Sequence, residues 1–226
     1  MARRPDTNRE KSGSNVSTAL LFVAAMGMAW AWHSPILFPL KILVVLMHES
    51  GHALGAILTG GRLLTMSVAM DEGGESLTAG GSALVTLNSG YLGSLAWGAA
   101  LLTLTRSARG GRGVSACLSF ALFILALGWI RPVFSFGFVY ALVASVAFGA
   151  LARFSPVANR WALRSLGLFS VLYAFADIVD DVLYRPGAPS DAAALAVLTG
   201  IPTLFWGAGW IVVSAVALVV FRRWLA

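Results

Sequence analysis

Apolar runs separated by short polar or glycine-rich breaks fill most of this chain. The runs are continuous and do not alternate, and several reach the roughly 20 apolar residues that a helix needs to cross a bilayer. A spanning segment must satisfy its own backbone hydrogen bonds, so continuous runs predict helices rather than barrel strands. The pattern places spans at about Ser17–Trp32, Ile36–Thr59, Ala83–Thr105, Val114–Ile130, Phe134–Phe154 and Trp161–Leu183. The last region, Asp191–Leu225, contains Gly200 and Pro202, which predicts a short helix, a break and a final span from about Thr203. Between Gly60 and Ser82 the pattern changes to "GGRLLTMSVAMDEGGESLTAGGS", partly alternating and punctuated by glycine pairs, which reads as a short hairpin. The expected fold is an all-α polytopic membrane protein, with about six to seven transmembrane helices and a glycine-rich hairpin after the second.

Composition agrees with that pattern. The chain is 58% hydrophobic and 12% charged, against about 25% charged residues in an ordinary soluble domain. Residues 1–16, "MARRPDTNREKSGSNV", are polar and basic and are expected to be disordered, leaving 17–226 as a single intramembrane domain. The first apolar run is kept as a helix because no small-x-small cleavage site follows it. The net charge of +6 comes from arginines clustered at the ends of apolar runs, as membrane anchors are. No basic stripe with interleaved aromatics is present, so the expected partner is a lipid bilayer and not nucleic acid. The basic clusters divide almost evenly between the two sides, and the positive-inside rule therefore selects no orientation. The expected location is a membrane crossed several times, the plasma membrane in a bacterium. Cys117 is the single cysteine, which excludes an internal disulfide and a thiolate metal cluster; it reads as a small packed residue.

The second span carries the chemistry, in "VVLMHESGHALGAILTGG". His48, Glu49 and His52 form H-E-x-x-H, and positions i and i+4 of a helix share a face, so both imidazoles can reach one metal ion. Zinc in such a site lowers the pKa of a water, and the neighbouring carboxylate of Glu49 can take its proton. Ionisable residues inside a span cost about 2.5–3.5 kcal/mol each for the charged types, so three within five residues call for a compensating cation. Two histidines and a water leave a tetrahedral site one protein ligand short. The third histidine, His33, lies beyond the first span and reads as a solvated interfacial residue. Asp177, Asp180 and Asp181 stand at i, i+3 and i+4 near the end of the sixth span. Asp177 lies deepest in the apolar run and is the expected third ligand; Asp180 and Asp181 are the alternatives, or orient a histidine, cap the helix, or are solvated.

"HESGHALGAILTGGRL", "DEGGESLTAGG", "NSGYLGSLAWGAAL" and "ADIVDDVLYRPGAPSDA" together resemble the site-two-protease-like intramembrane zinc metallopeptidases, in their M-fifty-B-like branch, from about Lys41 to Trp210. The resemblance implies an active site within the bilayer, with His48 and His52 as zinc ligands, Glu49 as general base and a membrane-embedded protein as substrate. It also implies a third ligand from an aspartate on a later span. In well-studied members that aspartate sits in an Asn-Pro-rich motif ending in Leu-Asp-Gly, which this chain lacks, so the role passes to Asp177 by placement. The alternative is a non-proteolytic membrane protein using the same metal site for structure or transport, although no series of ionisable residues at successive depths marks a route.

Other segments carry paired readings. "GGRLLTMSVAM" offers either a strand edge to which an extended substrate could add or a plain membrane-surface hairpin. Ser89, Gly90, Gly93, Ser94 and Gly98 would let the third span approach the motif helix closely. Asn88 reads as a donor to a substrate carbonyl or as a link between helices. Ser190 before Asp191 reads as a helix N-cap with acid in the first turn.

Overall fold

The computed structural model describes residue 27 and residues 34–105, 108–184 and 189–225. The basic N-terminal segment, His33 and all but one residue of the predicted first span lie outside the described residues. Helix α1 covers Phe38–Leu58 and is followed by strands β1 (Arg62–Val68) and β2 (Gly74–Ala79). Helices α2 (Ala83–Leu104), α3 (Ala108–Gly128) and α4 (Phe136–Phe154) come next. Helix α5 (Pro156–Val179) widens into a π-turn at Asp180–Tyr184, and α6 (Asp191–Thr199) and α7 (Thr203–Leu225) complete the chain.

The helix boundaries follow local chemistry. Ser82, Ser135, Ser155 and Ser190 each accept a hydrogen bond from the amide three residues on, capping α2, α4, α5 and α6. Pro156 occupies the first turn of α5, where its missing N–H costs nothing, so the helix begins ahead of the predicted Trp161. Helix α6 stops at Gly200, which takes the left-handed conformation (φ 75°) that a side chain would strain.

Small residues set the distances between helices. Helices α1 and α2 meet where Gly51 and Gly55 face Ser89, and Gly93 lies against Gly51. Helices α2 and α5 cross at Gly98 and Gly167; a Cβ on Gly98 would lie 2.7 Å from the Gly167 carbonyl oxygen, and one on Gly167 2.9 Å from that of Gly98. Ser119 and Ser145 exchange hydroxyl-to-carbonyl bonds of 2.7 Å between α3 and α4.

Among the described residues three helices are long and apolar enough to cross a membrane, namely α1, α3 (from Gly110) and α4, with a shorter apolar stretch in α7 at Thr203–Ala217. Of the other predicted spans, the first lies outside the described residues and the last counts only over Thr203–Ala217, while two fall short for a physical reason. Helices α2 and α5 face other helices, and they carry Asn88, Ser94, Asn159 and Asp177, which lower their hydropathy. Phe120 on α3, Val146 on α4 and Phe205 on α7 point outward and are two-thirds or more exposed, a surface suited to lipid rather than water. Cys117, expected to be packed, is exposed on α3.

The hairpin lies along α1. Gly61 and Gly80 stand back to back at its base, beside Ala56 and Thr59, while Ser76 donates to the Glu49 carbonyl (3.0 Å). Its turn reaches the first turns of α1, where Lys41 Nζ lies 3.0 Å from Glu72 Oε1. Glu72 has a left-handed backbone (φ 67°), a conformation worth roughly 1–2 kcal/mol of strain in a residue with a Cβ, which the ion pair helps to hold. The outer edge of β1 is taken: the Met66 amide donates to the Trp129 carbonyl and the Arg131 amide to that of Met66, both at 2.9 Å. Among the described residues the outer edge of β2 pairs with no strand.

Candidate metal centre

The motif lies midway along α1, and the helical period brings its two rings together, Nε2 to Nε2 at 3.0 Å. Asp191 Oδ2 stands 3.2 Å from each of these nitrogens. Nδ1 of His52 lies 2.8 Å from the Thr86 carbonyl oxygen. A carbonyl only accepts, so Nδ1 carries a proton, and in the neutral ring Nε2 is the nitrogen left to bind a metal. Asp191 Oδ2 is buried and has no other partner than these two ring nitrogens. Two ring nitrogens and a carboxylate oxygen about 3 Å from one another form a cluster that a cation, a proton or a metal ion, holds together.

The residues fit such a cation. Tetrahedral zinc, with ligands at about 2.0–2.1 Å, needs ligand atoms roughly 3.4 Å apart, close to the separations found. The three donor atoms lie within 4.8 Å of one another. Gly90 of α2 keeps space open beside them, since a Cβ there would lie 2.5 Å from His48 Nε2 and 2.6 Å from His52 Nε2. Glu49 is only 5% exposed, its Oε2 has no hydrogen-bond partner, and it lines the same cleft.

Asp177, expected as third ligand, is not the acid brought to the histidines; Asp191 is. Asp177 and Asp180 line the cleft from the end of α5, and Asp181 accepts a hydrogen bond from Tyr91. The ring of Tyr91 meets His48 edge to face, with centroids 5.0 Å apart. What carries Asp191 into the site is α6. Ala192 and Leu195 are fully buried with Tyr91, Ile178 and Trp210, so packing fixes this short helix with its N-terminus at the histidines. Ser190 is indeed its N-cap, while Asp191, read from sequence as acid in a first turn, also faces the motif. The usable signal was length: nine residues, seven of them apolar, make a helix of only about 13 Å, too short to cross a bilayer, so it must pack against other helices. Asn88 links helices, accepting from Trp210 Nε1 at 3.0 Å.

Gly90→Ala should cost about 1–3 kcal/mol, because the new methyl must displace both imidazoles. Gly113 on α3 has nothing within 4 Å of a Cβ, so Gly113→Ala should be neutral or slightly stabilising. Thermal unfolding of the two variants in detergent checks this; equal midpoints would show that the histidines are not packed against α2 as described.

Two histidines and an aspartate converge inside an apolar helical bundle, with a glutamate beside them, a donor set suited to a metal ion. The chain belongs to the Peptidase M50B-like family, whose model matches residues 21–221, and thus to the site-two-protease-like group of membrane proteins, a family of zinc peptidases. No curated protein and no solved structure matches it.

Proposed function

We propose that this protein is an intramembrane zinc endopeptidase that hydrolyses peptide bonds of membrane-embedded proteins, with His48, His52 and Asp191 as the metal ligands and Glu49 as the general base. The observation that carries the reading is the convergence of His48, His52 and Asp191 at 3.0–3.2 Å beside a buried, unpartnered Glu49 oxygen. Zinc, when bound, supplies Lewis-acid polarisation of a carbonyl and of a water. The Thr86 carbonyl holds His52 in the tautomer that leaves Nε2 available, and the Tyr91 ring steadies His48. Glu49 takes the proton of the attacking water and passes it to the leaving amine. Its backbone is tied to β2 through Ser76, and Gly74 lets the strand approach its side chain.

The outer edge of β2 gives the substrate somewhere to lie. A helix hides its amides in its own hydrogen bonds, whereas an extended segment added to a sheet edge presents each one. The sequence placed this edge on "GGRLLTMSVAM"; that strand is β1, whose outer side the Trp129–Arg131 segment occupies, so the proposal moves to β2.

Metal analysis and substrate accumulation test the reading together. Detergent-purified protein should carry about one zinc per chain, and the His48→Ala, His52→Ala double variant none. Cells bearing that variant should accumulate uncut membrane proteins that wild-type cells process. Stoichiometric zinc retained by the double variant would rule the site out.

A further inference from the structure

Arg112 is far in sequence from Arg153 and Arg160, yet the fold brings all three to one end of the bundle. Arg112 lies in the first turn of the span Gly110–Gly128 and Arg153 in the last turn of the span Phe136–Phe154. These two helices run antiparallel, with Ser119 bonded to Ser145 and packed on Gly149, so the start of α3 lies level with the end of α4. Arg160 joins them from α5. Its neighbour Asn159 accepts a hydrogen bond from Ser115, and a Cβ on Gly111 would lie 3.5 Å from Asn159 Nδ2. Arg112 and Arg153 are exposed and Arg160 is half-buried. Among the described residues no carboxylate pairs with any of the three; the Arg153 guanidinium lies over the exposed Phe154 ring, 5.7 Å from its centroid. The acids of the described residues all line the metal-centre cleft instead. Asp177 at the other end of α5 is about 25 Å along the helix from Arg160, well beyond the roughly 8 Å over which salt screens a charge.

The surface around these charges suits a lipid better than a soluble anion. Phe154, Val157 and Trp161 are exposed at the same end, and tryptophan is favoured where an apolar band meets the headgroups. Below Arg112 the outer face of α3 carries small side chains. Gly113 has nothing within 4 Å of a Cβ, and Ala116 and Cys117, one turn deeper, are exposed. Phe120 and Ile124 continue this outward face. We infer that Arg112, Arg153 and Arg160 seat the phosphate of an anionic phospholipid, whose acyl chain runs down α3 over Gly113 and Cys117. Guanidinium groups bond phosphate oxygens in pairs, and a free anion would have no use for the apolar strip below. A zwitterionic lipid brings its own ammonium group to compete for that phosphate, so lipids of net negative charge are favoured. The inference stands apart from the peptidase reading, since the seat lies at the opposite end of α5 from the cleft.

Cys117, the single cysteine, provides the reporter. It stands about 7.5 Å below Arg112 along α3, at the depth of an upper acyl chain. The full chain, labelled there with bimane, is placed in nanodiscs of phosphatidylcholine with a small fraction of phosphatidylglycerol. Brominated chains, which quench the label on contact, are carried by either lipid at the same mole fraction. Quenching should report phosphatidylglycerol enriched at least about fivefold over phosphatidylcholine beside Cys117, with the preference shrinking as salt rises. Arg112→Gln, Arg153→Gln and Arg160→Gln together should bring the ratio to about one, whereas Arg62→Gln, an exposed arginine on β1, should leave it unchanged. Arg112→Gln alone should lower the ratio about two- to threefold, which keeps the test if the triple variant does not fold. Equal quenching by the two lipids in the wild-type chain, or a preference that survives these substitutions, overturns the inference. So does a preference abolished by millimolar inorganic phosphate at constant ionic strength, which would assign the arginines to a free anion.

Discussion

Glu49→Gln should insert, fold and keep its metal, and lose peptide cleavage by about 10²- to 10⁴-fold, the usual contribution of general acid–base catalysis. The substitution nearly preserves shape. Glu49 is not among the three atoms that converge on the metal centre, and its contacts with Gly74 and, through its backbone, with Ser76 survive the change. What disappears is the ability to accept a proton, and the buried oxygen has no other task, since Oε2 has no partner. Substrates should persist on the inactive protein long enough for pull-down and identification by mass spectrometry. A site that serves structure or transport predicts a nearly silent change, because its ligands are untouched. A Glu49→Gln strain with a wild-type membrane proteome, beside a His48→Ala strain that differs, would sink the peptidase reading.

The second large effect separates two aspartates. Asp191→Ala should weaken zinc binding by more than about 100-fold, the upper end of what the loss of an outer partner costs, whereas Asp177→Asn should fall within or below that range. The geometry behind this is the 3.2 Å approach of Asp191 Oδ2 to both imidazoles. Zinc competition against a chelator of known affinity, on protein in detergent, gives both numbers. If Asp177→Asn strips the metal while Asp191→Ala retains it, the ion is held from α5 and α6 plays no part.

The motif helix was legible from the sequence because a period of 3.6 converts His48 and His52 directly into a pair of neighbours. Boundaries at α2, α4 and α6 were legible for a related reason, since capping serines and Gly200 act within a few residues. The third acid was not. Choosing Asp177 relied on depth along one apolar run, a one-dimensional measure. The acid that stands beside the histidines is instead carried by a helix arriving from elsewhere in the chain, positioned by Ala192 and Leu195. Nothing local to "PSDAAALAV" distinguishes an aspartate that favours a helix dipole from one that also faces two histidines. The edge of the hairpin failed similarly, because the partner that occupies β1 is Trp129–Arg131, some sixty residues away.

The hairpin is clamped at both ends, by the back-to-back glycines at its base and by Lys41 and Glu72 at its turn. An edge held in this way accepts a neighbour about 4.8 Å away, the spacing of one more strand, whereas a helix with its side chains is about 10–12 Å across. On the proposed peptidase reading, a client protein must therefore melt before it is cut. Stretches rich in glycine, proline or β-branched residues would be admitted at low cost, while a run of leucine and alanine would be refused. Selection of this kind ranks client helices by their softness, so a single helix-breaking substitution could turn a resistant membrane protein into a substrate without creating any recognition motif.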